Sequence, residues 1–303
     1  MEEGNTVKVF EEYVKKDYML GNPDEKTPRY EDKLTHSLFV MDEALNVDAI
    51  FTRYSVNYKN LLVIESLFHD IGRFEQMKVT GTFADIEIPK FYPGIKDHGD
   101  LGARVLKDDG LLEKLIPDVR LYDEEVQRVI SNHSKITTNT LNRDILNYIR
   151  IFSTYDLQEL FMSDKTEKER NALNRINTAI VQDVDRLDIF RKIVKGIWVP
   201  MTVDKSVDAE VWKLFKEGRL PSIEELKKQG KWNANVGHLV RMSFINQMNL
   251  VPVLIRIREE NLIDRIYETT GNNGSYVQEA YEIAKEEIDK KIEDSEDGII
   301  IRK

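Results

Sequence analysis

The chain has 303 residues, with 54 Asp and Glu against 44 Lys and Arg for a formal net charge of −10, five His and no Cys. That length suffices for a large buried core, as one enlarged domain or as a domain plus a lobe, and zero Cys excludes disulfides, thiolate metal sites, iron–sulfur clusters and a cysteine nucleophile. The acidic balance argues against polymeric nucleic acid or an anionic membrane as the main partner, since both are bound through basic surfaces, and leaves room for a small anion in a locally positive pocket.

Apolar residues mostly recur at helical spacing. Val9, Phe10, Tyr13, Val14 and Tyr18 outline a first amphipathic helix. Charged residues there, such as Lys8, Glu11 and Glu12, interrupt any signal-peptide core, and no apolar run approaches the ~20 residues of a membrane span, so the cytoplasm is the expected location. Thr27 and Pro28 read as an N-cap and first helical position, opening a helix to about Leu45. A third helix is expected from about Tyr58 through Phe68-His69-Asp70, stopping near Gly72. Gly81, Pro89, Pro93 and Gly94 make Val79 to Asp97 a loop, with room for a short hairpin. Helices are then expected over 98–107, 123–133, 140–163 and 166–195. Beyond Pro200 the candidates are 207–217, 222–229, 235–268 and 275–293, with Pro221 and Pro252 as breaks and Ser295 to Lys303 as a tail. The expected architecture is all-α, with a main lobe over 1–200 and a helical C-terminal extension over 201–303 that either caps the lobe or belongs to the same unit.

Four of the five histidines, His36, His69, His98 and His133, fall on or at the end of expected helices. His36 lies between Leu34 and Phe39 and so faces the interior. Adjacent side chains on a helix diverge by about 100°, so His69 and Asp70 reach one metal only from a helix terminus, which Gly72 would supply. A buried imidazole needs a partner for each nitrogen, and a metal on one with a hydrogen bond on the other is a common solution. Each of these histidines taken alone reads more simply as a satisfied core or surface residue. Taken together with Asp70, the metal reading and the bland one stand about even. No HExxH, P-loop or glycine-rich nucleotide fingerprint is present.

The series His36, His69-Asp70 in LFHDIGRFEQ and Asp185 in VQDVDRLDIF resembles the HD superfamily of metal-dependent phosphohydrolases. His98 in DHGDLGARVL and His133 in VISNHSK match the two additional histidines of its binuclear members. The matches run in order from Tyr30 to about Phe190. The resemblance implies a helical bundle with His36, His69, Asp70 and Asp185 on one metal, and His98 and His133 on a second bridged by Asp70. Imidazoles with carboxylates suit one or two divalent transition ions (Mn, Fe, Co, Ni or Zn) better than Mg. The 52 residues from His133 to Asp185 make a long interval, and Asp156 in STYDLQEL lies within it. DVDRLD is closer to the family segment and favours Asp185, with Asp156 as the alternative.

The implied reaction is attack of a metal-bound hydroxide on phosphorus, which also needs positive charge facing the outer phosphate oxygens. Asp70, Arg73 and Arg29 are the expected catalytic residues, and Arg29, Arg73 and Lys135 the expected substrate contacts. Arg29 precedes His36 by seven residues, about 20° short of two turns, so it shares that side of the helix. Each of these cations would otherwise be an ordinary solvated side chain. Arg186 and Asp188 read as an ion pair supporting Asp185. The aromatic loop from Thr80 to Asp97, with Phe83, Phe91 and Tyr92, is either a lid or base-stacking wall or a plain packed loop. His238 reads as a core or surface histidine of the extension.

The leading expectation is thus a phosphohydrolase of a small phosphoester, with a nucleotide as the expected substrate. One alternative is a phosphodiesterase of a dinucleotide or cyclic dinucleotide, disfavoured because SKITTNT stands after His133 where that branch carries Gly-Tyr-Pro. The other is a non-catalytic metal- or nucleotide-binding regulatory module. Self-association as a homo-oligomer stays open.

Overall fold

A computed structural model describes residues 3–21, 26–51, 56–115, 123–135, 167–197, 207–270 and 275–295. The expected helix over 140–163, Asp156 within it, and the tail beyond Ser295 lie outside the described residues. The protein is all-α, and its compact units span residues 1–184 and 185–303.

In the first unit, α1 (Glu3–Val14) continues into a π-helical turn (Lys15–Met19), followed by α2 (Thr27–Phe51), α3 (Val56–Phe68) and α4 (Ile71–Thr80). A 3-10 turn (Asp85–Glu87) leads into the four-residue α5 (Ile88–Phe91). After it come α6 (His98–Asp108), α7 (Leu111–Leu115), α8 (Asp123–His133) and the long α9 (Glu167–Val194), whose residues to 184 belong to this unit. The second helix outruns its expected end at Leu45 because the apolar face continues: Val47 is fully buried. Where a hairpin had room to form, the chain makes helical turns instead, anchored by the fully buried Ile88.

α2 packs on α3, α4 on α6, and α6 on α8. The last two contacts are backbone-close. A Cβ at Gly72 would sit 2.0 Å from the His98 carbonyl oxygen, and one at Gly99 would sit 2.8 Å from the Ile130 carbonyl oxygen. Gly72 therefore does not stop a helix. It lies in the first turn of α4, where only a missing side chain lets α6 approach. An aromatic core secures the same corner: Phe10 meets Phe68 edge-on at 4.6 Å, and Tyr30 stacks on Phe74 at 6.2 Å. Each such buried ring contributes roughly 1.5–3 kcal/mol.

The second unit holds α10 (Ala209–Lys216), α11 (Ile223–Lys228), α12 (Ala234–Gln247), α13 (Val251–Glu259), α14 (Leu262–Thr270) and α15 (Ser275–Glu293). The single helical stretch expected over 235–268 is three helices. Leu250 is extended, Pro252 sits in the first turn of α13 where its missing N–H costs nothing, and Asn261 adopts a left-handed φ of 52°. α12 packs on α15, and buried Lys291 of α15 donates to the carbonyls of Ile245, Asn246 and Met248, closing the C-terminal end of α12. His238 is a core residue here, bonded through Nδ1 to the Tyr281 hydroxyl at 2.9 Å.

Candidate metal centre

The run from Leu61 to Phe68 is buried, so α3 is surrounded by protein on every side as it reaches the centre. His69 and Asp70 then form a two-residue break, with Asp70 at φ −101° and ψ 16°, before α4 begins at Ile71. Leaving the helical ladder for two residues lets neighbouring side chains converge, which a continuous helix forbids.

Four histidine side chains meet at Asp70. Its Oδ2 lies 3.4 Å from His36 Nε2 and 3.6 Å from His69 Nε2. Its Oδ1 lies 3.5 Å from His98 Nε2 and 3.6 Å from His133 Nε2. The two oxygens of one carboxylate thus face two different histidine pairs. The Nε2 atoms of His36 and His69 are 3.2 Å apart. His69 Nδ1 is 2.6 Å from the Ser66 carbonyl, His133 Nδ1 is 2.6 Å from the Ile130 carbonyl, and His98 Nδ1 is 3.1 Å from Asp85 Oδ2. Donation from Nδ1 to those oxygens leaves the lone pair on Nε2, aimed at Asp70. His133 Nε2 is buried without a hydrogen-bond partner.

The electrostatics keep Asp70 ionised. Burial opposes its charge, and the ammonium of Lys33 is the largest of the opposing influences that hold the carboxyl well below its ordinary range. Lys33 is itself buried and donates to Asp70 Oδ2 at 2.5 Å. Sequence spacing pointed to Arg29 on this helix; Arg29 is exposed, and the cation that reaches inward to Asp70 is Lys33. Arg29 has the better angle to His36 but stands two turns away, about 10 Å along the axis, against about 4.5 Å for Lys33. Burial lowers the pKa of His98, helped by Arg73 and opposed by Asp85, so the ring favours its neutral, ligating form.

The remaining candidates are placed as follows. Asp185 lies on α9, where the second unit begins, and His69, Asp70 and His133 form a group whose ligand atoms lie within 4.8 Å of one another. One turn earlier on that helix, Gln182 donates to the carbonyls of Asn132, His133 and Lys135, fixing the end of α8. Arg73 reaches toward Asp70, with Nε 4.0 Å from Oδ1, while its Nη1 donates to Asp85, Gln76 and the Phe83 carbonyl. Lys135 pairs with Asp100 at 2.9 Å and bonds Ser131, at the half-exposed rim of α6 and α8. Arg186 and Asp188, expected to pair with each other, are seen with other partners, Gln247 and Lys192. Sequence reasoning missed Lys33 and Asp85. The first was findable, one turn before His36 on the same helix; the second is brought in only by tertiary folding.

The HD domain matches residues 34–189, just over half of the chain, spanning all the histidines and carboxylates of this centre. The chain belongs to the HD domain family. No curated protein and no solved structure matches it. HD domains bind divalent metals and are in general metal-dependent phosphohydrolases, and this chain fits a metal on its own chemistry. It buries imidazole nitrogens whose other ring atom is already committed, around an ionised carboxylate, and leaves one of them without a partner. Among the described residues no helix is long and apolar enough to cross a membrane.

Proposed function

We propose that this HD protein is a binuclear phosphohydrolase of a small phosphorylated molecule, with nucleotides as the expected class. The observation that carries the reading is the division of Asp70, with Oδ2 toward His36 and His69 and Oδ1 toward His98 and His133. One ion would be held by His36, His69, Asp185 and Asp70 Oδ2, and the other by His98, His133 and Asp70 Oδ1. Divalent transition ions bound there would supply Lewis acidity and lower the pKa of a bound water toward neutral pH.

The chain's own residues do the rest. The Ser66 and Ile130 carbonyls and Asp85 hold three imidazoles in the ligating orientation. Lys33 and Arg73 place positive charge beside Asp70, where an anionic phosphoryl group must approach a protein of net charge −10. Lys135 stands further out, at the rim. Apolar side chains of α3 and α4 next to His69 and Asp70, among them Leu67, Phe68, Ile71 and Phe74, are buried and exclude bulk water.

The test is metal analysis of protein purified without chelator, followed by a turnover screen. The screen covers mononucleotides, dinucleotides and generic phosphoesters with Mn, Fe, Co, Ni and Zn. The reading expects bound transition metal and hydrolysis of a phosphomonoester. Protein without transition metal, or metal-loaded protein that binds nucleotides but hydrolyses no phosphoester, would overturn it.

A further inference from the structure

We propose that Asp85 is a positioning residue of the metal centre, holding His98 by its Nδ1 so that Nε2 faces Asp70; the proposal rests on the binuclear reading. Asp85 comes from the segment the sequence left as a lid or a plain packed loop. Its Oδ2 is 3.1 Å from His98 Nδ1, and its Oδ1 accepts from Arg73 Nη1 at 2.6 Å. His98 opens α6, so its backbone gives the ring no carbonyl one turn earlier, the kind of partner that Ser66 provides for His69 and Ile130 for His133. A carboxylate delivered from elsewhere in the chain fills that role. It also fixes the protonated nitrogen, because an ionised carboxylate accepts from Nδ1–H and leaves the lone pair on Nε2.

The segment is tied down accordingly. Arg73 also donates to the Phe83 carbonyl at 2.7 Å, Thr80 Oγ1 to the Thr82 carbonyl at 2.9 Å, and Tyr92 Oη to Glu75 at 2.5 Å. Ile88 is fully buried, and the Arg104 guanidinium lies 5.4 Å from the centre of the Tyr92 ring. These tethers belong to a wall of the centre. A lid that must open would break them at every turnover.

The competing role for Asp85 is to neutralise Arg73 and pin the loop. The two roles separate in metal binding, read by elemental analysis after dialysis against limiting Mn(II) and by the electron paramagnetic resonance of the coupled Mn pair. Asp85→Ala is expected to keep the first ion, weaken the second by about 10–100-fold and lose the coupled-pair signal. Arg73→Met removes the tether but leaves the Asp85–His98 bond, so it is expected to keep both ions. Glu87→Gln, on the same segment, is the control and also keeps both. Two ions with unchanged affinity in Asp85→Ala would overturn the proposal, as would equal losses in Asp85→Ala and Arg73→Met. Loss of helicity by circular dichroism in Asp85→Ala would overturn it too, by making Asp85 a folding residue. A wild-type protein with one ion or none would instead sink the binuclear reading, and this inference with it.

Discussion

The first and second units each bury histidine, and the two environments do opposite things. His69 and His133 have Nδ1 committed to a backbone carbonyl and Nε2 facing a carboxylate 3.6 Å away. His238 has Nδ1 on the Tyr281 hydroxyl, and burial together with the nearby Arg241 guanidinium pushes its pKa down to about 4. Burial and a helical position are therefore not what marks a metal ligand. The mark is a carboxylate opposite the second nitrogen, kept ionised by a buried cation such as Lys33.

The comparison breaks first at Asp70. Asp70→Ala should empty the centre and lower turnover by at least about 10³-fold, equivalent to roughly 4 kcal/mol of transition-state stabilisation, measured by elemental analysis and steady-state kinetics. Retained turnover would mean that the carboxylate does not organise the site. Next in size, Asp185→Ala should cost one ion and most of the activity, whereas Asp156→Ala should leave the metal content intact. The reverse pattern would assign the last ligand to Asp156.

A smaller effect sharpens the contrast from the other side. His238→Phe should keep the full metal complement, since that ring belongs to the core of the second unit. Its pH behaviour has a definite sign. The unfolded ring binds protons near pH 6.5 and the folded one only near pH 4, so the unfolded state binds more protons between those values. Stability contributed by neutral His238 is complete above pH 6.5 and lost as pH falls toward 4, about 3 kcal/mol over the window. Denaturant titrations at pH 7 and pH 4.5 should show a wild-type loss that His238→Phe lacks. Equal losses would place the acid sensitivity elsewhere.

Much of this was legible in the amino-acid order. Helical periodicity located α6, α8, α9 and α15 within a residue or two, because each buries a regular apolar stripe. The HD family was legible through the His and Asp series that resembles it. What escaped depends on distances that a helical wheel omits. Arg29 and Lys33 share one flank of α2, and only the rise along the axis decides that Lys33 reaches Asp70. Gly72 looked like a terminator because glycine often is one. Its actual use, letting the His98 carbonyl within 2.0 Å of a would-be Cβ, exists only once α4 and α6 are packed. Asp85 sits 13 residues from His98 in a stretch without periodicity, so nothing local announces their contact.

The central claim is that one carboxylate divides the centre into two metal positions. The most direct test is the number of tightly bound transition-metal ions per chain in wild type and in the His98→Ala/His133→Ala double variant. The account predicts two in the first and one in the second, with His36, His69 and Asp185 still holding their ion. A single ion in the wild type, unchanged when His98 and His133 are removed, would contradict it.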